Sequence, residues 1–305
     1  MNFVGDIGGT RTRLALADAR HELHHAVILD NDGHADFQTL LGTWLATLPE
    51  APARGCLAVA GPADAGARSA RLTNRPDWRI DAAALESAFG IARIELVNDF
   101  AAAAMGAPAC TATARPLQTG TASNTHPHLV IGAGTGLGVA VLIPAGARWH
   151  VLPGEGGHFS FAPQNPLQDS LCRHLRAHHG RVIAEHVVSG NGLAAIHAFL
   201  HGETLTPAQI AQHANAGEAR ALASFDLFAS AYGTIAGDYA LAAMTKGGVS
   251  LAGGIAAANM ELMMRGPFVD AFRRKGVHAG IVADMPIAIL TEPLLGLHGA
   301  ARLIE

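Results

Sequence analysis

Short apolar runs, broken by glycine and polar residues, recur along the first third of the chain. Five of them have the length of buried strands: 2–7, 14–17, 26–29, 56–60 and 94–97. Apolar residues recur at helical spacing over 37–48, with Asp36 placed to cap that helix. A second helix is predicted over 81–89, where Gly90 stops it, and the alanine-rich stretch after Asp99 predicts a third. The predicted order is β-β-β-α-β-α-β-α.

The rest of the chain repeats this alternation with longer helices. Its apolar runs predict strands over 129–133, 139–143, 149–152, 249–252 and 286–290. A helix is predicted over 166–178. Thr206, Pro207 and Gln209 have the pattern of a helix start with a capping box, and a long helix with an apolar stripe over 222–239 follows.

Both halves of the chain begin with a strand, a glycine-rich turn and a second strand. This indicates a weak internal repeat in architecture, with 107–128 as the boundary between the halves. The uncharged segment 129–147 is long enough to cross a bilayer. Glycine occupies every second position over 132–138, however, so a strand, a turn and a second strand explain the segment better than a membrane helix. We expect no membrane span.

Composition narrows the class of protein. The 305 residues suffice for one large or two ordinary domains, and a net charge of −4 is too mild for the electrostatic footprint of a nucleic-acid binder. Three scattered cysteines, Cys56, Cys110 and Cys172, argue against a disulfide framework or a structural zinc site. No basic region followed by a long apolar core marks a secretory signal, so a cytoplasmic location is expected.

Two glycine turns are candidates for anion binding. Each follows a strand and carries a threonine, over 5–10 (GDIGGT) and 132–138 (GAGTGLG). Glycine lets backbone N–H groups approach an anion, and the threonine hydroxyl adds a neutral donor. Taken singly, each turn is also explained as a tight hairpin. Neither turn has the P-loop pattern or the G-x-G-x-x-G spacing of a Rossmann dinucleotide site.

Polar residues at strand ends and in glycine-rich loops are the candidates for chemistry. Asn98 and Asp99 follow the strand over 94–97, and they could cap the next helix or form an active site at a strand end. Glu155 and His158 flank two glycines and could belong to an ordinary polar loop. Their E-x-x-H spacing lacks the H-E-x-x-H pattern of a zinc protease, so no residue is assigned as a metal ligand.

Six motifs together resemble the bacterial glucokinase family, within the hexokinase and actin-like ATPase superfamily. They occur in the order of the family and span nearly the whole chain: GDIGGT (5–10), VNDF (97–100), GAGTGLG (132–138), LPGEGGH (152–158), AEHVVSG (184–190) and LAGGI (251–255). The resemblance implies an α/β fold with two actin-like, ribonuclease H-like domains and a cleft between them. The implied domains are 1–108 plus 292–305 and 109–291.

The resemblance also implies ATP-dependent phosphorylation of glucose at its 6-hydroxyl, the entry step of glycolysis, with Mg²⁺ and by a homodimer. Asp99 matches the general base of the family. The implied sugar ligands are Asn74, Asn98, Asp99, Glu155, His158 and Glu185. The implied nucleotide-binding residues are Gly5, Asp6, Ile7, Gly8, Gly9, Thr10, Gly134, Thr135, Gly136, Gly253 and Gly254.

The chain departs from the family pattern at a few positions. The family usually has Asn-Ala-Arg after GGT, whereas this chain has Arg11-Thr12-Arg13; Ala133 replaces a proline, and His186 stands where arginine is common. Two other hypotheses fit the same motifs: a kinase for another hexose, and a non-catalytic sugar-binding regulator. The chain lacks the cysteine-rich zinc motif of related repressor-type sugar kinases, and no helix-turn-helix precedes Asn2, so no DNA partner is expected.

Overall fold

The computed structural model describes residues 1–61, 66, 68–73, 75–146 and 148–304. The strands are β1 (Asn2–Ile7), β2 (Arg11–Ala17), β3 (Leu23–Asp30), β4 (Arg54–Val59), β5 (Ser69–Leu72), β6 (Arg75–Asp81), β7 (Arg93–Asn98), β8 (Arg115–Gln118), β9 (His128–Ala133), β10 (Leu137–Ala145), β11 (Arg148–Gly154), β12 (Gly248–Ala252) and β13 (Ile287–Ile289). The helices are α1 (Phe37–Leu45), α2 (Ala82–Phe89), α3 (Asp99–Gly106), α4 (Pro166–His179), α5 (Gly190–His201), α6 (Pro207–Asn215), α7 (Ala219–Ala242), α8 (Gly254–Ala258), α9 (Met260–Met263), α10 (Pro267–Arg273), α11 (Ala279–Ala283) and α12 (Leu295–Leu303).

The chain divides into two compact units. Unit 1 comprises Met1–Ala112 with Glu292–Glu305, and unit 2 is the continuous segment Thr113–Thr291. Each unit has its own main sheet, and unit 1 also has a separate sheet of two strands, β5 and β6. In both main sheets, three antiparallel strands are followed by parallel ones, and β8 adds an antiparallel edge to the sheet of unit 2.

The sheet of unit 1 has the strand order β3-β2-β1-β4-β7, and β1, β4 and β7 run parallel. Successive side chains of a strand point to opposite faces, so each face of this sheet builds its own core. Phe3 of β1 packs in the cluster that includes Phe37 and Leu40 of α1. Its neighbour Val4 packs in the cluster that includes Leu297 of α12.

Helices α3 and α12 of unit 1 approach each other closely because both carry glycine at their contact. A Cβ atom at Gly299 would lie 1.6 Å from the carbonyl oxygen of Ala102, and one at Gly106 would lie 2.2 Å from that of Leu295. Only a residue without a side chain allows the two backbones to meet at this distance. The C-terminal helix is therefore fitted to the helix that begins at Asp99.

The sheet of unit 2 has the order β11-β10-β9-β12-β13-β8. Its main core lies between this sheet and the long helix α7, whose Phe225, Phe228 and Tyr232 are fully buried. The Tyr232 hydroxyl donates a hydrogen bond of 3.0 Å to the carbonyl of Ile131 in β9, which ties the helix to this strand of the sheet. All three cysteines of the chain, Cys56, Cys110 and Cys172, are buried.

The predicted helix signals are confirmed. The Asp36 carboxylate accepts a hydrogen bond of 2.7 Å from the Thr39 amide, and Gly90 ends α2 in the left-handed conformation at φ 65°. Thr206 and Gln209 form the predicted capping box at the start of α6. Among the described residues, no helix combines the length and the apolar character that crossing a membrane would require.

The structure contains elements that the sequence did not predict, among them helix α5 and the short helices α8 to α11. A β5–β6 hairpin also stands between β4 and α2, and β8 lies within the stretch 107–128, in which the division between the two units falls. Both β6 and β8 carry a proline at their second residue, a position that weakens a strand prediction. Helix α1 also ends at Leu45, three residues before the predicted end.

Candidate active site

The carboxyl ends of three parallel strands lie side by side in unit 1. Ile7 of β1 pairs with Val59 of β4, and Val59 pairs in turn with Asn98 of β7. The first glycine turn follows Ile7 directly, and Asp99 follows Asn98. Unit 1 therefore presents the turn and the carboxylate at the same edge of its sheet, which is where open α/β sheets bind ligands.

Asn98 and Asp99 have different structural roles. Asn98 caps α3, because its Oδ1 accepts hydrogen bonds of 3.0 Å from the amides of both Phe100 and Ala101. Its Nδ2 donates to the carbonyl of Gly61 at 3.2 Å, which ties the end of β7 to the chain that follows β4. Asp99 is the first residue of the helix, and its Oδ1 accepts from the Phe100 amide at 2.8 Å. The sequence left open which of the two caps the helix, and the structure assigns the cap to Asn98.

The first glycine turn joins β1 to β2 beside a buried carboxylate. Asp6 receives a hydrogen bond of 3.1 Å from Nη1 of Arg13, the residue paired with it across the two strands. Burial raises the pKa of the Asp6 carboxyl, and the charge of Arg13 opposes that rise. The turn closes through a hydrogen bond of 3.0 Å from the Gly8 amide to the Arg11 carbonyl, and Thr10 is exposed.

The second glycine turn, between β9 and β10, is bound by the segment that carries Glu185. The Leu137 amide donates a hydrogen bond of 2.8 Å to Oε2 of Glu185, and the Gly190 amide donates one of the same length to the Gly134 carbonyl. A Cβ atom at Gly136 would lie 2.4 Å from Glu185 Oε2. The motifs GAGTGLG and AEHVVSG are therefore in direct contact, with Thr135 exposed at the tip of the turn.

The LPGEGGH motif packs on β10, the strand that follows the second glycine turn. A Cβ atom at Gly157 would lie 2.3 Å from the Leu137 carbonyl oxygen, and one at Gly156 would lie 2.7 Å from Val139, so these glycines serve a close approach. Tyr239 donates a hydrogen bond of 2.5 Å to the Gly156 carbonyl, and burial raises the pKa of its hydroxyl to about 12.

The glycine pair is buried, whereas the residues on either side of it, Glu155 and His158, are exposed. The two polar side chains are thus presented by a tightly held turn, in which the His158 amide donates to the Glu155 carbonyl at 3.0 Å. Gly253 adds the LAGGI motif to this arrangement. It has φ 84°, and a Cβ atom there would lie 2.5 Å from the Ala133 carbonyl oxygen.

The structure thus brings the sequence-predicted residues together within each unit. In unit 2 the contacts described above join GAGTGLG, LPGEGGH, AEHVVSG and LAGGI around the end of β9 and the start of β10. In unit 1 the strand pairing joins GDIGGT and VNDF. Asn74 lies outside the described residues.

Sequence reasoning missed four residues that hold the two motifs of unit 1 in place: Thr12, Asn31, Gly61 and Arg75. The Asn31 side chain donates to the carbonyls of Gly8 and Gly9, and Gly61 receives the hydrogen bond of Asn98. The one available signal was Thr12, which departs from the family pattern at a buried strand position.

Two other features lie outside these motifs. Ligand atoms of Asp18, Glu22 and His24 come within 4.8 Å of one another, but His24 Nε2 already pairs with the Asp18 carboxylate at 3.2 Å. A cavity of about 490 Å³ in unit 2 contains no predicted site residue. Its lining residues are Pro163, Pro166, Asp169, Ser170, Cys172, Arg173 and Arg176.

Two solved structures that share this fold are glucokinases. A glucokinase from an Antarctic psychrotroph superposes with a TM-score of 0.88 at 33% identity and covers 98% of this chain and 97% of its own. A ROK family glucokinase from Streptomyces griseus, in complex with glucose and AMPPNP, superposes with a TM-score of 0.66 at 21% identity and covers 99% of this chain and 98% of its own. The fold is that of the actin-like sugar kinases, which confirms the predicted class.

The sequence comparisons narrow this class to one family. The glucokinase family profile matches residues 3–305. A glucokinase from Nitrobacter hamburgensis is 36% identical over 315 aligned residues, which cover 99% of this chain and 97% of that protein. The chain belongs to the glucokinase family, whose members are enzymes that phosphorylate glucose.

Proposed function

We propose that this chain transfers the γ-phosphoryl group of ATP to the 6-hydroxyl of glucose, with Asp99 as the general base. The observation that carries the proposal is the place of Asp99 in unit 1. Its carboxylate stands at the end of a parallel strand and the start of α3, on the sheet edge that also bears the first glycine turn. A helix N-terminus favours a negative charge at this point, and Asn98 supplies the cap.

In the proposed reaction, Asp99 accepts the proton of the 6-hydroxyl while the hydroxyl oxygen bonds to the γ-phosphorus. The bond from that phosphorus to the bridging oxygen breaks, and ADP leaves. A sugar hydroxyl is a poor nucleophile, so a carboxylate within hydrogen-bond reach lowers the barrier to its attack. In phosphoryl transfer the protein contributes mainly by positioning the reactants and stabilising charge. The backbone N–H groups of the glycine turns are the protein donors proposed to stabilise the charge of the phosphoryl group.

The remaining roles are proposed residue by residue. In unit 1, residues 5–10 bind phosphate and Asn98 binds the sugar through its amide group. In unit 2, Glu155, His158 and Glu185 bind sugar hydroxyls, residues 134–136 bind phosphate, and Gly253 and Gly254 approach the adenosine. The buried, tightly packed pair Gly156 and Gly157 holds the exposed side chains of Glu155 and His158 in fixed positions for binding the sugar. Asn74 keeps its proposed sugar role from the family resemblance alone.

Mg²⁺ is proposed as the companion of the nucleotide. Asp6 offers a carboxylate oxygen beside the first glycine turn, which is the ligand type that Mg²⁺ prefers, and a bound Mg²⁺ ion would neutralise phosphate charge. The assigned role of Asp6 is to hold this ion, directly or through its water, while Arg13 orients the carboxylate.

Three further assignments accompany the proposal: a cytoplasmic location, no nucleic-acid partner, and a homodimer. Three buried cysteines, scattered along the sequence, suit a reducing compartment, and the net charge of −4 suits a protein without a polyanionic partner. The homodimer follows from the family resemblance, and light scattering of the purified protein measures it directly.

A phosphotransfer assay over a panel of hexoses and nucleotides tests the function. We expect sugar-dependent ADP release to be largest with glucose and ATP, with glucose 6-phosphate as the product. Larger kcat/KM with mannose or fructose would assign the chain to another hexose. Sugar binding without ADP release would make it a sugar-binding regulator and refute the proposal.

A further inference from the structure

Asn31 is a fully buried polar residue that no motif includes. It follows β3, and its side chain makes its hydrogen bonds to β2 and to the first glycine turn. Nδ2 donates to the carbonyl oxygens of Gly8 at 2.9 Å and Gly9 at 3.2 Å. The backbone N–H of Asn31 also donates a hydrogen bond of 2.9 Å to the Thr10 carbonyl. Three successive carbonyls of the turn therefore point toward one residue.

The orientation of those carbonyls determines the orientation of the amides. In a planar trans peptide, the C=O of one residue and the N–H of the next point in opposite directions. The carbonyls of Gly8 and Gly9 point to Asn31, so the N–H groups of Gly9 and Thr10 point away from it. Within the part of the chain that the structure describes, neither of these amides donates a hydrogen bond to the protein. Adjacent amides that point to one side form a concave donor site for an anion.

Thr12 determines which way round the Asn31 amide group sits. Its Oγ1 donates a hydrogen bond of 2.8 Å to Asn31 Oδ1, and both side chains are fully buried. Because a hydroxyl donor marks the oxygen side of the amide, the NH₂ side must face the turn. The threonine of this chain and its buried asparagine thus form a matched pair.

Arg75 of β6 also contacts the first glycine turn. Arg75 donates to the Asp32 carboxylate at 2.7 Å and to the Gly9 carbonyl at 3.4 Å, and its guanidinium lies 4.7 Å from the centre of the Trp78 ring. The contact with Gly9 is long, so Arg75 supports the arrangement and the buried Asn31 side chain dominates it.

We infer that Asn31, oriented by Thr12, is a positioning residue for nucleotide binding: it turns the Gly9 and Thr10 amides outward, toward the phosphates. This inference rests on the proposed function, because it takes the nucleotide as the anion. Donors that are already oriented need no rearrangement when the phosphate arrives, and a preorganised site binds more tightly for that reason.

Three variants test the inference: Asn31→Asp, Thr12→Val and Thr12→Ser. Asn31→Asp keeps the shape of the side chain but replaces the donor to Gly8 and Gly9 with a carboxylate. We expect the KM for ATP to rise about tenfold, the scale of one or two lost hydrogen bonds. Thr12→Val removes only the hydroxyl, and a rise of about threefold is expected. Thr12→Ser keeps the hydroxyl donor, so its KM for ATP should stay within about twofold of the wild-type value.

The discriminating readout is the split between the two substrates. The KM for glucose should stay within about twofold in all three variants, and so should the dissociation constant of glucose by calorimetry. A purely structural role predicts something else: a lower melting temperature with the KM for ATP unchanged. That result, or equal rises in both KM values, would overturn the inference. Should Asn31→Asp fail to fold, the comparison of Thr12→Val with Thr12→Ser decides.

Failure of the proposed function is recognised separately. If the wild type binds ATP without phosphorylating any sugar, the proposed reaction fails. The calorimetric dissociation constants of ATP for the wild type and the variants still decide the role of Asn31. If the wild type binds no ATP at all, both are overturned.

Discussion

Replacement of Asp99 by asparagine separates chemistry from folding at the start of α3. Asparagine has the same shape as aspartate, and its side-chain oxygen can still accept the hydrogen bond from the Phe100 amide, which is 2.8 Å in the native protein. The cap supplied by Asn98 is untouched. What the Asp99→Asn variant lacks is the ability to take a proton at neutral pH.

The expected magnitudes differ sharply between activity and stability. A general base contributes at least about 10²-fold, so kcat should fall by that factor or more, which corresponds to about 2.7 kcal/mol in the activation free energy. Loss of one negative charge at a helix N-terminus costs about 0.3–1 kcal/mol of folding free energy. The melting temperature should therefore fall by only about 1–4 °C.

Asn98→Ala is the matched comparison. It removes an acceptor of two amide hydrogen bonds and the contact with Gly61, so we expect a loss of about 0.5–2 kcal/mol in the free energy of unfolding. Initial rates at saturating glucose and ATP, measured by ADP release, are combined with thermal melts of all three proteins. Near-normal kcat in Asp99→Asn would refute the base assignment. If Asp99→Asn melted at a lower temperature than Asn98→Ala, the assignment of the helix cap to Asn98 and of the base to Asp99 would be refuted.

Three further predictions concern other parts of the molecule. Gly136→Ala places a Cβ atom 2.4 Å from the native position of Glu185 Oε2, so it should displace that carboxylate and raise the KM for glucose about tenfold, as Glu185→Ala should, in steady-state assays. Gly299→Ala places a Cβ atom 1.6 Å from the Ala102 carbonyl oxygen and should cost about 3 kcal/mol or more in thermal or urea unfolding, whereas Gly280→Ala, with open space around it, should cost nothing. Burial lowers the pKa of four histidines: His128, His186, His197 and His298. The unfolded chain then binds more protons below about pH 6.5, so the melting temperature should hold above that pH and fall between about pH 6.5 and 5.

Each of these three has an outcome that contradicts it. An unchanged KM for glucose in Gly136→Ala would show that the Glu185 carboxylate is not needed where it stands. Equal stability losses in the two alanine variants on helices would show that α3 and α12 can separate without strain. A melting temperature that is flat or rising from pH 6.5 to 5 would contradict the pKa directions.

Local signals predicted the elements that local contacts stabilise. The caps at Asp36, Gly90 and Thr206 are interactions within one turn of the chain, so the residue types alone reveal them. The β5–β6 hairpin was missed because β6 begins with Arg75, Pro76 and Asp77. These three polar or strand-breaking residues interrupt the alternation of apolar and polar positions that predicts a strand.

In the candidate site, too, the sequence revealed the residues that are close together along the chain and missed the long-range contacts. Glycine turns and polar strand ends were visible because they are contiguous in sequence. Asn31 was not, because its side chain acts on residues 22 and 23 positions away. The hydrogen bond between Leu137 and Glu185 spans 48 positions, so the sequence could name the carboxylate but not the backbone group it binds. Contacts of this kind depend on the fold, and only a structure reveals them.

The fit of α12 against α3 also bears on how the chain is made. Unit 1 is discontinuous, and the ribosome synthesises the whole of Thr113–Thr291 between its two parts. The apolar surface formed by Val4, Ala15 and Cys56 cannot be covered by Leu297 until synthesis has passed that residue. Unit 2 is continuous and can fold during synthesis, whereas the first part of unit 1 keeps this apolar surface exposed until its second part has been made.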